Sequence, residues 1–143
     1  MNRRRRRGSS LTEGALVLAV LMVSLIGIID VGQALVVQQG LAERARAGAR
    51  YAVVNPQEAG GPQRVRNMVV YNTPTPAPDA APLLRLAPDM VSVRLADPGT
   101  PEARIEVSID DYPFQFYTPG IAGIYRSRAI RVSLPAEGRE PVY

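Results

Sequence analysis

The stretch IIDVGQALVVQQGLAERARAGARYAVV, residues 28–54, passes without a proline from an apolar segment into a charged one. Leu41, Ala45, Gly48 and Ala52 recur at spacings of four, three and four; Gln39, Glu43, Arg46 and Arg50 repeat the same spacings beside them. Two stripes at that period place small apolar residues on one face of a helix and polar ones on another. Side chains this small let a second backbone approach closely, either the protein's own outer part or another membrane helix. Asn55-Pro56 closes the segment, because the residue before a proline is pushed out of the α region.

Toward the N-terminus, residues 14–29 hold no charge and one hydroxyl, Ser24. A membrane-spanning helix needs about 20 apolar residues, and the core of a signal peptide about 7–15. Continuing through Asp30 to Val37 gives roughly 36 Å of helix, enough to cross a bilayer with Asp30 near the far headgroups. Five arginines, Arg3–Arg7, lie on one side; Arg44, Arg46 and Arg50 are offset by Asp30 and Glu43 on the other. The positive-inside rule keeps the N-terminus cytoplasmic and sends the rest across. The expectation is one helix over residues 11–54, half in the membrane and half outside.

The outer part reads as α+β. A second short helix begins at Gly60-Gly61-Pro62, presents Val65, Met68 and Val69, and fades at Tyr71-Asn72. The proline-rich TPTPAPDAAP, residues 73–82, opens a linker reaching to residue 88. Three segments then alternate apolar and polar residues: 90–96, 103–110 and 129–134. That pattern predicts an antiparallel three-stranded sheet with one buried face. Asp97-Pro98-Gly99-Thr100-Pro101 suits a hairpin loop between the first two strands. Residues 111–125, DYPFQFYTPGIAGIY, carry both phenylalanines and three of the six tyrosines. They are expected to cover the core, with a contact surface as the alternative. So few elements make a thin core, and the outer half of the long helix should serve as the second layer.

Composition removes many function classes. The chain has no cysteine and no histidine, which excludes disulfides, Cys/His zinc sites and Ser-His or Cys-His catalytic pairs. Five of the 17 basic residues are Arg3–Arg7, and the remaining 12 face 13 acidic ones. The body is near neutral, which argues against a nucleic-acid partner. Asp110-Asp111 reads as a polar strand end before a cation site. Thr118-Pro119-Gly120-Ile121-Ala122-Gly123 lacks the lysine of a phosphate loop. No catalytic set, metal site or cofactor motif emerges, so an enzyme is not supported.

Glu13 stands at the edge of the apolar run, where a bilayer-buried carboxylate costs about 2.5–3.5 kcal/mol. A place in the cytoplasmic headgroup zone would satisfy it. That does not account for Gly8, five residues upstream and directly after the arginines. Basic leader, glycine, four residues, glutamate and apolar helix together resemble the type IV prepilin signature. Asp30, Gly32, Ala34-Leu35 and Gly48-Ala49-Arg50-Tyr51-Ala52 narrow the resemblance to the TadE-like minor pilins or pseudopilins of tight-adherence (Tad/Flp) pilus systems. It covers about residues 8–53; Gly14 stands where such proteins often carry an aromatic.

The resemblance implies cleavage by a prepilin peptidase between Gly8 and Ser9. It makes Glu13 the assembly carboxylate, paired with a neighbouring subunit's α-amino group, which would offset its desolvation. Asp30, Gly32, Leu41, Ala45, Gly48 and Ala52 become candidates for helix packing, with Arg50 and Tyr51 in the family segment. The implied organisation is a leader over 1–8, a membrane helix over 9–37, its extension over 38–55 and an outer domain over 56–143. The implied protein sits in the bacterial inner membrane among other Tad pilins, the assembly machinery and lipid, and forms hetero-oligomers. Two other readings are an uncleaved single-span anchor whose outer domain binds an envelope protein, and a secreted domain cut before Leu35 after Gly32-Gln33-Ala34.

Overall fold

The computed structural model describes residues 3–55, 61–97, 100 and 102–136, the side chains of 3–9 excepted. Helix α1 (Arg3–Val54) is unbroken over 52 residues, roughly 78 Å. It begins earlier than residue 11, because arginine is a good helix former and nothing in the leader breaks the ladder. It ends where expected. The backbone N–H and the side-chain amide of Asn55 both donate to the Tyr51 carbonyl, at 3.0 Å each; Pro56 lies outside the described residues.

Helix α2 (Gly61–Tyr71) packs across α1 and also touches the sheet. It buries Gly61, Val65, Val69 and Val70. Met68, expected on the inner face, is half-buried, because two neighbours turn a wider arc of α2 inward. Asn72, at φ 60°, ends the helix in the left-handed region, and its N–H bonds the Met68 carbonyl at 3.1 Å. Gly60, the first of the expected start residues, lies outside the described set.

Five strands follow: β1 (Val91–Ala96), β2 (Arg104–Ile109), β3 (Pro113–Phe116), β4 (Gly123–Arg126) and β5 (Ile130–Pro135). The antiparallel order β1-β2-β5 forms the expected three-stranded sheet. Its register aligns Val91, Ile109 and Ile130 across the sheet, then Val93, Val107 and Val132, then Leu95, Ile105 and Leu134. The apolar residues of three separate strands therefore share one face, since side chains alternate along each strand. The β1–β2 connection is held by Thr100, whose N–H and hydroxyl both donate to the Asp97 carbonyl. Pro98, Gly99 and Pro101 of the expected loop lie outside the described residues. Asp110 takes hydroxyl hydrogen bonds from Ser108 at 3.0 Å and Ser92 at 3.3 Å, so its carboxylate closes the strand end.

Leu41, Ala45, Ala49 and Ala52 of α1, Val65, Val69 and Val70 of α2, and Val91, Ile105, Val107 and Ile109 of the sheet form one core. The C-terminal half of α1 is thus the second layer, and the small-residue stripe packs inside its own chain. The linker makes two single 3₁₀ turns, Leu83–Arg85 and Pro88–Met90, with Leu86 fully buried after the first.

Residues 113–126 form an additional two-stranded hairpin, β3–β4, within and just past the segment expected to cover the core. Tyr112 is buried and Phe114 half-buried at the core edge, their rings 5.2 Å apart in an edge-to-face pair. Tyr117, Ile121, Ile124 and Tyr125 are exposed. The segment therefore covers the core with its first half only. The Tyr112 hydroxyl donates to the Leu84 carbonyl at 2.8 Å, and Leu84 sits at φ 53°. This bond holds a branched residue in a strained backbone region.

Burial pushes the Tyr112 phenol above its ordinary range, with the nearby Arg85 charge opposing. A raised folded pKa means stability that is complete below the unfolded value, near 10, and lost as pH rises through the folded one. Tyr112→Phe should cost about 0.5–1.5 kcal/mol at neutral pH. It should also make the alkaline decline in denaturation midpoint shallower. An unchanged decline would mean that Tyr112 does not contribute to it.

Candidate assembly site

The long helix has two regimes. From Ser10 to Leu25 every residue is exposed, and Leu11, Leu16, Val17, Leu18, Val20, Leu21, Met22, Val23 and Leu25 point outward all around it. A helix apolar on every side and covered by none of the described residues needs a nonpolar solvent or a partner. It is long and apolar enough to cross a membrane. From Gly27 onward one narrow face turns inward through Asp30, Ala34, Val37, Leu41, Ala45, Gly48 and Ala52. These spacings of three and four continue the helical period with no register change.

Asp30 is the chemical centre of the transition. It is only 4% exposed, and its Oδ2 accepts three hydrogen bonds: Tyr117 N–H at 2.8 Å, Thr118 N–H at 2.7 Å and the Thr118 hydroxyl at 2.6 Å. Two consecutive backbone N–H groups and a hydroxyl converging on one oxygen make a small anion nest. Such charge-assisted bonds are among the stronger ones a protein makes.

The loop's own sequence explains its shape. Ile121 N–H bonds the Thr118 carbonyl at 3.1 Å, closing a turn with Pro119 second and Gly120 third at φ 93°. Proline then a positive-φ glycine is the chemistry of a type II turn. The loop recognises an anion without a lysine, and the anion is a carboxylate of the same chain. Thr118 also lies over Gly27, where an added Cβ would meet its Oγ1 at 3.7 Å. Between hairpin and helix is a cleft of about 210 Å³ lined by Asp30, Ala34, Val37, Arg85, Tyr112 and Phe114 among others.

The remaining candidates fall into groups. Gly48 is closed over by α2: an added Cβ would collide with Val69 and come within 3.5 Å of the Val65 carbonyl. Leu41, Ala45 and Ala52 are fully buried on the same face. Gly32 faces open space, with nothing within 4 Å of an added Cβ, and so does Gly14. Glu13 is exposed one turn beyond Ser9. Gly8 and Ser9 continue the helix, their side-chain surroundings lying outside the described residues. Arg50 is exposed and Tyr51 half-buried. Sequence reasoning missed Thr118 as the partner of Asp30 and Ala49 as a member of the buried stripe. Ala49 was legible, one position from Gly48; Thr118 was not, being 88 residues from Asp30.

Residues 8–50 match the family model described as TadE-like protein. This part of the helix is similar to TadE-like proteins. The match begins at the glycine after the arginines and ends at Arg50, before the last residue of the buried stripe, so it takes in Glu13, Asp30, Gly32 and Gly48 together. It supports a Tad pilus-associated component; the TadE-like family is structural and is not known for catalysis. No curated protein and no solved structure matches the chain significantly. The match lies wholly within the long helix, and the α+β part that follows stands on its own geometry.

Proposed function

We propose that this protein is a minor pilin or pseudopilin of a Tad (Flp) pilus, a structural part used in initiating or assembling the filament. The observation that carries the reading is the TadE-like segment itself. Its first half is an uncovered apolar helix with Glu13 near its start, and its second half is bound to an outer domain. In this reading the leader ends at Gly8, the prepilin peptidase exposes Ser9 as the new N-terminus, and the domain folds outside the inner membrane. Glu13, inserted among neighbouring helices, pairs with the new α-amino group of an adjacent subunit. Gly32 and the exposed face around it, open in the single chain, pack against those neighbours. The unbroken helix through residues 32–35, with Ala34 half-buried, speaks against cleavage before Leu35.

The test is the intact mass and N-terminal sequence of the protein from its own membrane fraction. A start at Ser9 is expected. A start at Leu35 would mean a secreted domain, and an intact leader an uncleaved anchor; either would sink the pilin reading. With processing established, Glu13→Ala should still be cut yet fail to support pilus assembly. Normal assembly would remove the role given to Glu13.

A further inference from the structure

We infer that the β3–β4 hairpin is a membrane-seated finger whose tip rests in the outer-leaflet interface beside the helix that carries it. The inference rests on the reading that α1 spans the bilayer. The hairpin descends along α1 toward the N-terminus. Tyr112 and Phe114 line the cleft at the level of Val37 and Ala34, while Tyr117 and Thr118 reach Asp30 and Gly27. The tie at Asp30 therefore fixes the height of the tip on the helix.

That height coincides with a membrane boundary. From Glu13 to Asp30 the helix rises roughly 26 Å, close to the ~30 Å hydrocarbon thickness of a bilayer. With Glu13 at the inner edge, Asp30 and the hairpin tip meet the outer edge. The chemistry of the tip fits that place. Residues 112–125 contain no charge. Tyr117 is 60% exposed, Ile121 53%, Ile124 73% and Tyr125 47%, and the neighbouring Ile28, Ile29 and Val31 of α1 are exposed as well. Tyrosine concentrates at membrane–water interfaces, where its ring is buried and its hydroxyl stays wet. Arg126 and Arg128 follow at the hairpin base, both exposed, at the height of lipid phosphates, which attract cations. The clasp also removes the obstacle to such seating, because Asp30, the charge nearest the tip, is already satisfied by the loop.

The chain has no tryptophan, so single substitutions serve as reporters in the full-length protein. Ile124→Trp, Leu21→Trp and Glu102→Trp would each be reconstituted into phosphatidylcholine–phosphatidylglycerol vesicles containing lipids brominated near the headgroup or deep in the chains. Leu21 marks the middle of the apolar segment, and Glu102 marks the end of the sheet away from the hairpin. The expected result is deep quenching at Leu21→Trp, and shallow quenching at Ile124→Trp at least about threefold above Glu102→Trp. Quenching at Leu21→Trp with Ile124→Trp no different from Glu102→Trp would overturn the seated finger alone. It would assign the exposed face to a protein neighbour. Absence of quenching at Leu21→Trp would overturn the spanning helix, and the finger with it.

Discussion

Asp30→Ala is expected to release the β3–β4 hairpin from α1 while the three-stranded sheet stays folded. The substitution leaves two backbone N–H groups and one hydroxyl without the oxygen they share. Donors that lose a buried partner bear the full desolvation penalty, which exceeds the net worth of the bonds themselves. Among the described residues no other hydrogen bond joins the tip to α1, Tyr117, Ile121 and Ile124 are exposed, and Gly27 offers only a backbone surface to Thr118. The sheet is anchored separately, through β2 and β5 against α1. The measurement is the rate of tryptic cleavage after Arg126 and Arg128, exposed residues flanking the hairpin base. Cleavage that requires local opening reports the open population, and an increase of at least about tenfold is expected. Asp30→Asn, which keeps an acceptor without the charge, should fall between. Equal rates in wild type and Asp30→Ala would show that the carboxylate does not hold the hairpin.

The second large effect belongs to Gly48, and its sign should reverse with the background. Alanine in place of a mid-helix glycine ordinarily stabilises by about 0.5–1 kcal/mol through backbone entropy. Here the new methyl would run into Val69, which is fully buried and whose β-branched side chain has little rotamer freedom in a helix. Overpacking of this kind costs about 1–3 kcal/mol, enough to outweigh the entropy gain. Gly48→Ala should therefore destabilise the packed α+β part of the chain, and Gly48→Leu should unfold it, because a core this small has little stability to spare. In a Val69→Ala background the obstacle is gone. The remaining neighbours, the Val65 carbonyl at 3.5 Å and its Cγ1 at 3.6 Å, are at ordinary contact distance. There Gly48→Ala should stabilise. Denaturant titration of the four full-length proteins in detergent would measure the cycle. Additive effects would mean that α1 and α2 do not meet at this point.

These two sites differ in how far the sequence announces them. The close helix crossing at Gly48 was written in the spacing of Leu41, Ala45, Gly48 and Ala52. What the spacing left open was whether α2 or another subunit would fill it, because small residues admit either. The alternating strands were equally plain, and their register brought every apolar partner to one face. The hairpin was harder. Residues 113–116 and 123–126 are short, only partly alternating, and split by a proline-glycine turn, so their pairing shows only against the helix they lie on. The processing and assembly roles proposed for Gly8, Ser9 and Glu13 come from the family resemblance, because a local period cannot assign them.

By itself the sequence determined the α+β class, the long helix, the apolar segment within it and the three-stranded pattern. All of these follow from local period, side-chain size and the positions of proline and charge, which act over a few residues. The tertiary structure decided which backbone covers Gly48, how the hairpin stands, and that Asp30 is answered by Tyr117 and Thr118. Those depend on contacts between segments up to 88 residues apart. A buried carboxylate announces that it needs a partner, but only the folded chain can bring one within 2.6 Å.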